Sequence, residues 1–323
     1  MKAIVVHEFG GADKLKYQEI EKPTPGPSQV LIKTLRSSVN FADIMATNGT
    51  YTVTQLPFVP GIDSFGEIVG VGSEMESALI GTRVIAFCDQ GGYSEFTLAT
   101  KGLFFPVSKE FDDDQAGASP LLLGTCYGLL TQAATVSTGA RILIHAGAGG
   151  IGTTAIQMAK ALGASEIVGL VSSADKACVV EDLGALAIVT DTTSNYATRA
   201  KDAAGGAFDI ILNSVAGSTI GQDLEVLAPF GTLVVFGIAS GSAGVAYSNQ
   251  LHPTSRTVAG YSFGNLRKNR PEQVAPLMEA ALDLAKDGAI KFVVQGTMPL
   301  SDAKQAHEMI NSRKTIGKIL LEP

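Results

Sequence analysis

The chain has 323 residues, a formal net charge of −7, 46% hydrophobic residues and 17% charged ones. At about 150 residues per domain this length points to two domains, each able to bury a core. The acidic balance, with Lys and Arg dispersed apart from Arg267-Lys268-Asn269-Arg270, excludes a nucleic-acid binder, and no apolar run is long enough to cross a membrane or to form a signal-peptide core.

Up to about residue 120 the chain is rich in short strands, expected at 2–7, 17–20, 30–39, 66–71, 83–87, 94–99 and 104–107. Breakers such as Lys22-Pro-Thr-Pro-Gly-Pro27 and Leu56-Pro-Phe-Val-Pro-Gly61 separate them. Strands at this spacing suggest an antiparallel, barrel-like β domain. The pattern then changes to helix and strand in alternation. A helix at 121–135 is followed by strands at 141–145, 166–171, 187–190, 208–213 and 231–237, with helices at 151–162, 174–183, 195–204 and 218–227 between them. Strands that are apolar throughout and separated by helices form a parallel sheet covered on both faces, a doubly wound Rossmann fold of the α/β class. A strand at 257–261 completes six.

Beyond residue 265 come a helix at 272–286, a strand at 292–294, a helix with Ser301 as its N-cap running to about 312, and a final strand at 318–321. These pieces return to the first domain. The expected domains are 1–120, 121–264 and the return segment 265–323. Cys88, Cys126 and Cys178 are odd in number and far apart, which favours buried thiols in a reducing, cytoplasmic setting over disulfides.

The most informative stretch is Arg141-Ile-Leu-Ile-His-Ala-Gly-Ala-Gly-Gly-Ile-Gly152, a buried strand running into a glycine turn and an apolar helix. Gly147, Gly149 and Gly152 satisfy G-x-G-x-x-G, the dinucleotide-binding pattern, with Ala146, Gly150 and Ile151 completing the turn. The first glycine permits the turn, the second lets backbone N–H groups approach a pyrophosphate, and the third lets helix pack on strand. The helix N-terminus adds free amides and the positive dipole end. Where a ribose-binding carboxylate is expected the chain carries Ser172-Ser173, followed by Lys176. Small hydroxyls and a cation accept a 2′-phosphate, which favours NADPH over NADH. Lys176 reads equally as a solvated charge at the start of a helix, beside Asp175.

A β-rich first domain, a later Rossmann unit and a returning tail together resemble the medium-chain dehydrogenase/reductase superfamily, whose catalytic domain is GroES-like. Asn40-Phe-Ala-Asp43, Asn48-Gly-Thr-Tyr51, Pro60-Gly-Ile-Asp-Ser-Phe-Gly66, Gly91-Gly-Tyr-Ser-Glu95, Ala146-Gly-Ala-Gly-Gly-Ile-Gly152 and Phe236-Gly237 narrow the resemblance to its quinone oxidoreductase branch, which is zinc-independent and uses NADPH. The first cysteine of zinc-dependent relatives falls at Val39 and Asn40, and their Gly-His-Glu is replaced by Gly61-Ile62-Asp63. No pair among His7, His145, His252 and His307 has ligand spacing, and His145 reads as structural. Without a Lewis acid, acceptors that are already electrophilic are favoured, which fits quinones and activated enones.

The resemblance implies Tyr51 as a hydrogen-bond donor to the developing oxyanion, Asn40 beside the nicotinamide ribose, Thr125 at the carboxamide, Gly237 and Ile238 lining the nicotinamide pocket, and Arg313 on the 2′-phosphate. Each has a structural reading beside it. Tyr51 is an aromatic in a proline-rich loop, Asn40 an N-cap, Thr125 a helix-packing residue and Arg313 a cation at a helix end. Asp191 departs from the pattern, since its charge would repel a 2′-phosphate. Enoyl-thioester reduction, with the Arg267 cluster at its entrance, and a crystallin-like or regulatory cofactor-binding protein are the alternatives. The resemblance also implies a homodimer, paired along Val258-Ala-Gly-Tyr261.

Overall fold

The computed structural model describes residues 1–51, 55–88, 91–109, 111–190 and 195–323. It divides into two compact units: Met1–Leu122 with Pro271–Glu279 and Phe292–Pro323, and Leu123–Arg270 with Ala280–Lys291.

In the first unit β1 (Lys2–Val6) and β2 (Leu15–Glu19) form a two-stranded antiparallel pair. A larger sheet is built from β3 (Gln29–Ser38), β4 (Asp63–Val71), β5 (Arg83–Phe87), β6 (Phe96–Thr100) and β7 (Phe104–Pro106), with helix α1 (Phe41–Thr47) after β3. These strands alternate or carry continuous Val, Ile and Phe, so one face supplies a core of Val30, Ile32, Ile68, Val84, Ala86 and Ala99. The tail joins the same sheet. Strand β15 (Lys318–Glu322) pairs antiparallel with β3 and parallel with β14 (Val294–Pro299), and Leu300, Ala303, Ala306, Ile319 and Leu321 pack with Ile4, Val6 and Val39. Arg36 fixes this return by ion pairs to Asp114 and Glu322, both at 2.7 Å.

Helix α2 (Asp113–Gly128) begins eight residues before the expected start, and the unit boundary falls inside it. Asp112 caps it by accepting from Gln115 N at 2.7 Å, and Asp113 and Asp114 in the first turn suit the positive dipole end. Pro120 lies inside the helix, where a proline removes one backbone N–H. Here Ser119 Oγ donates to the Ala116 carbonyl that the proline leaves without an N–H partner, and Leu121 N donates to Asp63 Oδ2.

The second unit is a parallel six-stranded sheet in the order β10-β9-β8-β11-β12-β13, the Rossmann order. The alternation is β8 (Arg141–Ile144), α3 (Gly150–Ala161), β9 (Glu166–Val171), α4 (Ala174–Asp182), β10 (Leu186–Val189), α5 (Ala197–Ala203), β11 (Phe208–Asn213), α6 (Thr219–Val226), β12 (Leu227–Val235), a short α7 (Ser248–Leu251) and β13 (Thr257–Gly260). Its core is Leu143, Val168, Leu170, Phe208, Ile211, Leu224, Leu227 and Leu233 with Tyr196.

Helix α8 (Phe263–Asn269) follows, where no helix was expected; Ser262 caps it, its side chain accepting from Asn265 N. Then come α9 (Val274–Ala285) and α10 (Ala303–Asn311). Ser301 is not the cap of α10. Asp302 holds that position after a 3-10 turn, and the Ser301 hydroxyl donates to its carboxylate. The three cysteines are free, and Cys178 is exposed, on the outer side of α4, where burial was expected. Among the described residues no helix is long and apolar enough to cross a membrane.

Candidate active site

Strand order reverses at β8, which has β9 on one side and β11 on the other, so the crevice outside the carboxyl ends of these strands is the place where such sheets bind ligands. The glycine turn lies there. Gly147 N donates to Leu170 O at 2.8 Å, Gly149 N to Ala146 O at 2.9 Å, and Ala146 holds a left-handed φ of 51°. A Cβ on Gly152 would stand 2.3 Å from Ala146 O, and one on Gly147 would stand 2.9 Å from Gly169 Cα, so both positions are closed to side chains. The amides of Gly150, Ile151 and Gly152 open α3 and have no carbonyl one turn back to accept them. The turn is therefore a wall of backbone donors at a positive helix end, which suits phosphate.

Around it the structure gathers most of the residues expected from sequence. Ser172 and Ser173 leave β9 at the same end of the sheet, Ser172 exposed and Ser173 at the N-cap position of α4. Lys176 is half-buried one turn on, and burial holds its pKa below the usual lysine value. Gly237 and Ile238 follow β12, where a Cβ on Gly237 would meet Ser214 O at 2.7 Å. Thr125 is buried on α2 between Gly124 and Gly128, which seat the Phe263 ring and the Tyr261 hydroxyl. Arg313 lies in the other unit, exposed, in a left-handed turn just after α10. Asp191 lies outside the described residues.

A buried network that the sequence did not announce braces the turn. His145 Nε2 and Asp223 Oδ1 are 2.8 Å apart, and the Tyr196 hydroxyl donates to the same oxygen at 2.6 Å. Asn213 Nδ2 donates to Asp223 Oδ2, while its Oδ1 accepts from Val215 N and Ala216 N at 2.8 Å each. One carboxylate thus ties the end of β8 to α6 and to the loop after β11. His145 is structural, as its position suggested. Asn213 closing the apolar run Ile-Ile-Leu-Asn was the available sign.

In the first unit Asn40 occupies the N-cap position of α1 but does not cap it with its side chain. Its backbone N–H donates to Asp43 Oδ2 at 2.9 Å, and its amide turns inward, Nδ2 to Asp63 Oδ1 at 2.9 Å and Oδ1 to the ammonium of Lys318. Ser38 Oγ donates to both Asp63 oxygens, at 2.8 and 2.9 Å. Asn40 is 3% exposed, so its amide is committed inside the unit. Asp43 Oδ2 also accepts the Tyr93 hydroxyl at 3.3 Å, which lies 3.2 Å from His307 Nε2. Burial, then the charge of Asp63, push the Asp43 carboxyl up to about 7, and burial holds His307 down to about 4. Tyr51 sits past the other end of α1, 48% exposed, with its N–H on Met45 O at 3.0 Å.

The comparisons agree along the chain. The alcohol dehydrogenase GroES-like domain model matches residues 26–148 and the zinc-binding dehydrogenase model residues 150–312. A quinone oxidoreductase of Pseudomonas aeruginosa is 31% identical over 100% of this chain and 99% of its own length. That of Rattus norvegicus is 31% identical over 99% of this chain and 97% of its own. The crystal structure of Escherichia coli quinone oxidoreductase complexed with NADPH superposes with a TM-score of 0.92 at 29% identity, covering 100% of both chains. With a Rossmann unit, a GroES-like unit and full-length relatives above 30% identity, the chain belongs to the medium-chain dehydrogenase/reductase superfamily and, within it, to the quinone oxidoreductase family.

Proposed function

We propose that this chain is a zinc-independent oxidoreductase that reduces a quinone or an activated enone with NADPH. The observation that carries the reading is the glycine turn at the switch point, a phosphate-sized wall of backbone donors from which Gly147 and Gly152 exclude side chains. NADPH, when bound, supplies the hydride. The amides of Gly150, Ile151 and Gly152 hold its pyrophosphate, beside Ala146 and Gly149, whose own N–H closes the turn. Ser172, Ser173, Lys176 and Arg313 hold the 2′-phosphate, and Thr125, Gly237 and Ile238 bound the nicotinamide side. Tyr51 donates a hydrogen bond to the oxygen on which charge develops, and Asn40 holds the helix that leads to it.

The family description names zinc, and the donor set does not fit it. Among the described residues no three His, Cys, Asp or Glu side chains form a group that could hold a metal ion. The Asp63 oxygens are taken by Ser38, Asn40 and Leu121, and an ammonium stands on Asn40 Oδ1 and Val39 O. A metal cation beside Asn40 would face Lys318. Two further readings complete the proposal. Among the described residues strand β13 ends the parallel sheet with an unpaired edge, along which two copies pair as a homodimer, and three free cysteines suit the cytoplasm.

The test is the initial rate of NADPH and NADH oxidation against benzoquinone, an enone and an enoyl thioester. Turnover of NADPH with quinone or enone is expected, and Tyr51→Phe should lower kcat about tenfold or more with NADPH affinity unchanged. Turnover confined to the thioester would move the chain to enoyl reduction. Tight cofactor binding without turnover would leave a non-enzymatic binder.

A further inference from the structure

The first unit buries an ammonium where an apolar strand begins. Lys318 is 6% exposed at the head of Lys318-Ile-Leu-Leu-Glu322, and a buried lysine persists only where it is paired. Its place is fixed from both sides. Lys318 N donates to Val293 O at 2.9 Å, and the preceding Gly317 has φ 62° with its Cβ position 2.0 Å from that same oxygen, so the junction admits only glycine. Across the sheet, Leu320 pairs with Ser38, and Val39 N donates to Ile319 O at 2.9 Å. The side chain then reaches Val39 O at 3.2 Å and Asn40 Oδ1.

That contact settles which way the Asn40 amide points. An ammonium offers only donors and a carboxylate only acceptors, so Oδ1 must face Lys318 and Nδ2 must face Asp63. A flipped amide would oppose donor to donor and oxygen to oxygen. The Asn40 backbone is held as well, by the Asp43 carboxylate, and Lys318 also faces the charges of Asp63 and Asp43. Burial lowers the lysine's affinity for its proton and these two carboxylates raise it.

From Asn40 the chain runs through α1, a seven-residue helix spanning roughly 10 Å. At its far end Thr50 N and Tyr51 N both donate to Met45 O, at 2.9 and 3.0 Å. The N-terminus of this helix is locked by the Lys318 cluster, and its last turn carries the backbone of Tyr51.

We propose that Lys318 is a positioning residue for the reduction: its buried ammonium fixes Asn40 and the start of α1 and, through that helix, sets the place of the Tyr51 hydroxyl. The inference rests on the reading of Tyr51 as the donor. It requires no proton transfer by the lysine. Losing the cation frees the amide to rotate and leaves Asp63 and Asp43 facing one another, so the helix shifts and a donor aimed at a developing charge loses its aim.

The experiment is a double-mutant cycle of Lys318→Ala and Tyr51→Phe on the full chain, read as kcat with a quinone and Kd for NADPH, with and without ethylammonium. Lys318→Ala should lower kcat about tenfold and leave Kd for NADPH within about twofold. In the Tyr51→Phe background the same change should cost less than about threefold, because the group it positions is already gone. Ethylammonium should restore most of the turnover of Lys318→Ala and leave the unmodified chain unaffected, while tetraethylammonium at equal ionic strength should do neither. Unchanged kcat in Lys318→Ala overturns the proposal, as do losses that multiply in the double variant. A Lys318→Ala chain that stays unfolded in ethylammonium also overturns it, leaving a lysine needed only for folding. Absence of turnover in the unmodified chain sinks the functional reading itself, a result separate from insensitivity to Lys318.

Discussion

Both units bury a polar network, and the two are built on different charge arithmetic. In the second unit one carboxylate, Asp223, collects His145, Tyr196 and Asn213, and each of its oxygens has a hydrogen-bond partner. In the first unit two carboxylates share one ammonium, and Asp43 Oδ1 is buried without a hydrogen-bond partner among the described residues. The first arrangement is a brace: it fixes the loops on either side of the switch point. The second holds a carboxyl whose pKa lies near 7, so its charge depends on the medium. A satisfied buried network makes a rigid floor, whereas an under-neutralised one stores a dependence on pH and on each of its members.

The largest effect should come from breaking the brace. Asp223→Ala removes the carboxylate that His145, Tyr196 and Asn213 share, leaving Tyr196 and Asn213 only their weaker contacts to Thr219, and is expected to cost about 3 kcal/mol or more, read as a lower urea midpoint. A cost below about 1 kcal/mol would mean that the two networks do not differ as described. Next is the turn that the brace supports. Gly152→Ala places a methyl 2.3 Å from Ala146 O and 2.6 Å from Gly147 O, both backbone atoms that cannot step aside. NADPH affinity should fall tenfold or more, which is about 1.4 kcal/mol or above, in a fluorescence titration.

The third prediction sharpens the difference through pH. The Asp43 carboxyl is raised from 3.8 to about 7 in the folded chain, so the native state holds a proton that the unfolded chain has released. Its stabilisation is complete below 3.8 and is lost as pH rises towards 7, at up to about 1.4 kcal/mol per pH unit. His307 acts in the opposite sense. Its pKa is lowered from 6.5 to about 4, so the stability it contributes is present above 6.5 and is lost as pH falls towards 4. Between 4 and 6.5 the two offset each other. Urea unfolding from pH 4.5 to 8 should therefore show stability rising up to about pH 6.5 in Asp43→Asn, and falling from the acid end in His307→Gln. Parallel curves for the two variants would remove both assignments.

The two networks also differ in how far the sequence announced them. The parallel sheet was legible because apolar strands and helices alternate, and the phosphate turn because all its determinants lie within Ala146–Gly152, a local motif. The first-unit cluster is assembled from Ser38, Asn40, Asp43, Asp63, Tyr93, His307 and Lys318, which are far apart in sequence and meet through the pairing of β3 with β4 and with the last strand. A lysine opening Lys-Ile-Leu-Leu reads as the solvated start of a strand, and nothing local marks it as buried. Asn40 was found, but as a neighbour of the nicotinamide ribose or an N-cap, because an N-cap position says where the backbone turns and not which partners await the amide. The helix was expected only from residue 121, because the Ser119 hydroxyl and Asp63 carboxylate that accommodate Pro120 become partners only in the folded chain.

The smallest effect concerns a residue outside both networks. Arg313 is exposed after α10, in a left-handed turn with φ 59° whose N–H is held by Ile310 O. Its side chain is exposed, so Arg313→Ala should leave the unfolding midpoint within about 0.5 kcal/mol. If its guanidinium pairs with the 2′-phosphate, the cost falls on NADPH alone. A solvent-exposed contact to a doubly charged group is worth roughly 0.5–1 kcal/mol, or about a two- to fivefold rise in Kd for NADPH, shrinking as salt is raised. NADH, which lacks that phosphate, should bind the variant and the unmodified chain equally. An equal loss for both cofactors would assign Arg313 to the shape of the turn after α10, and the 2′-phosphate would then rest on Ser172, Ser173 and Lys176, all carried by the braced unit.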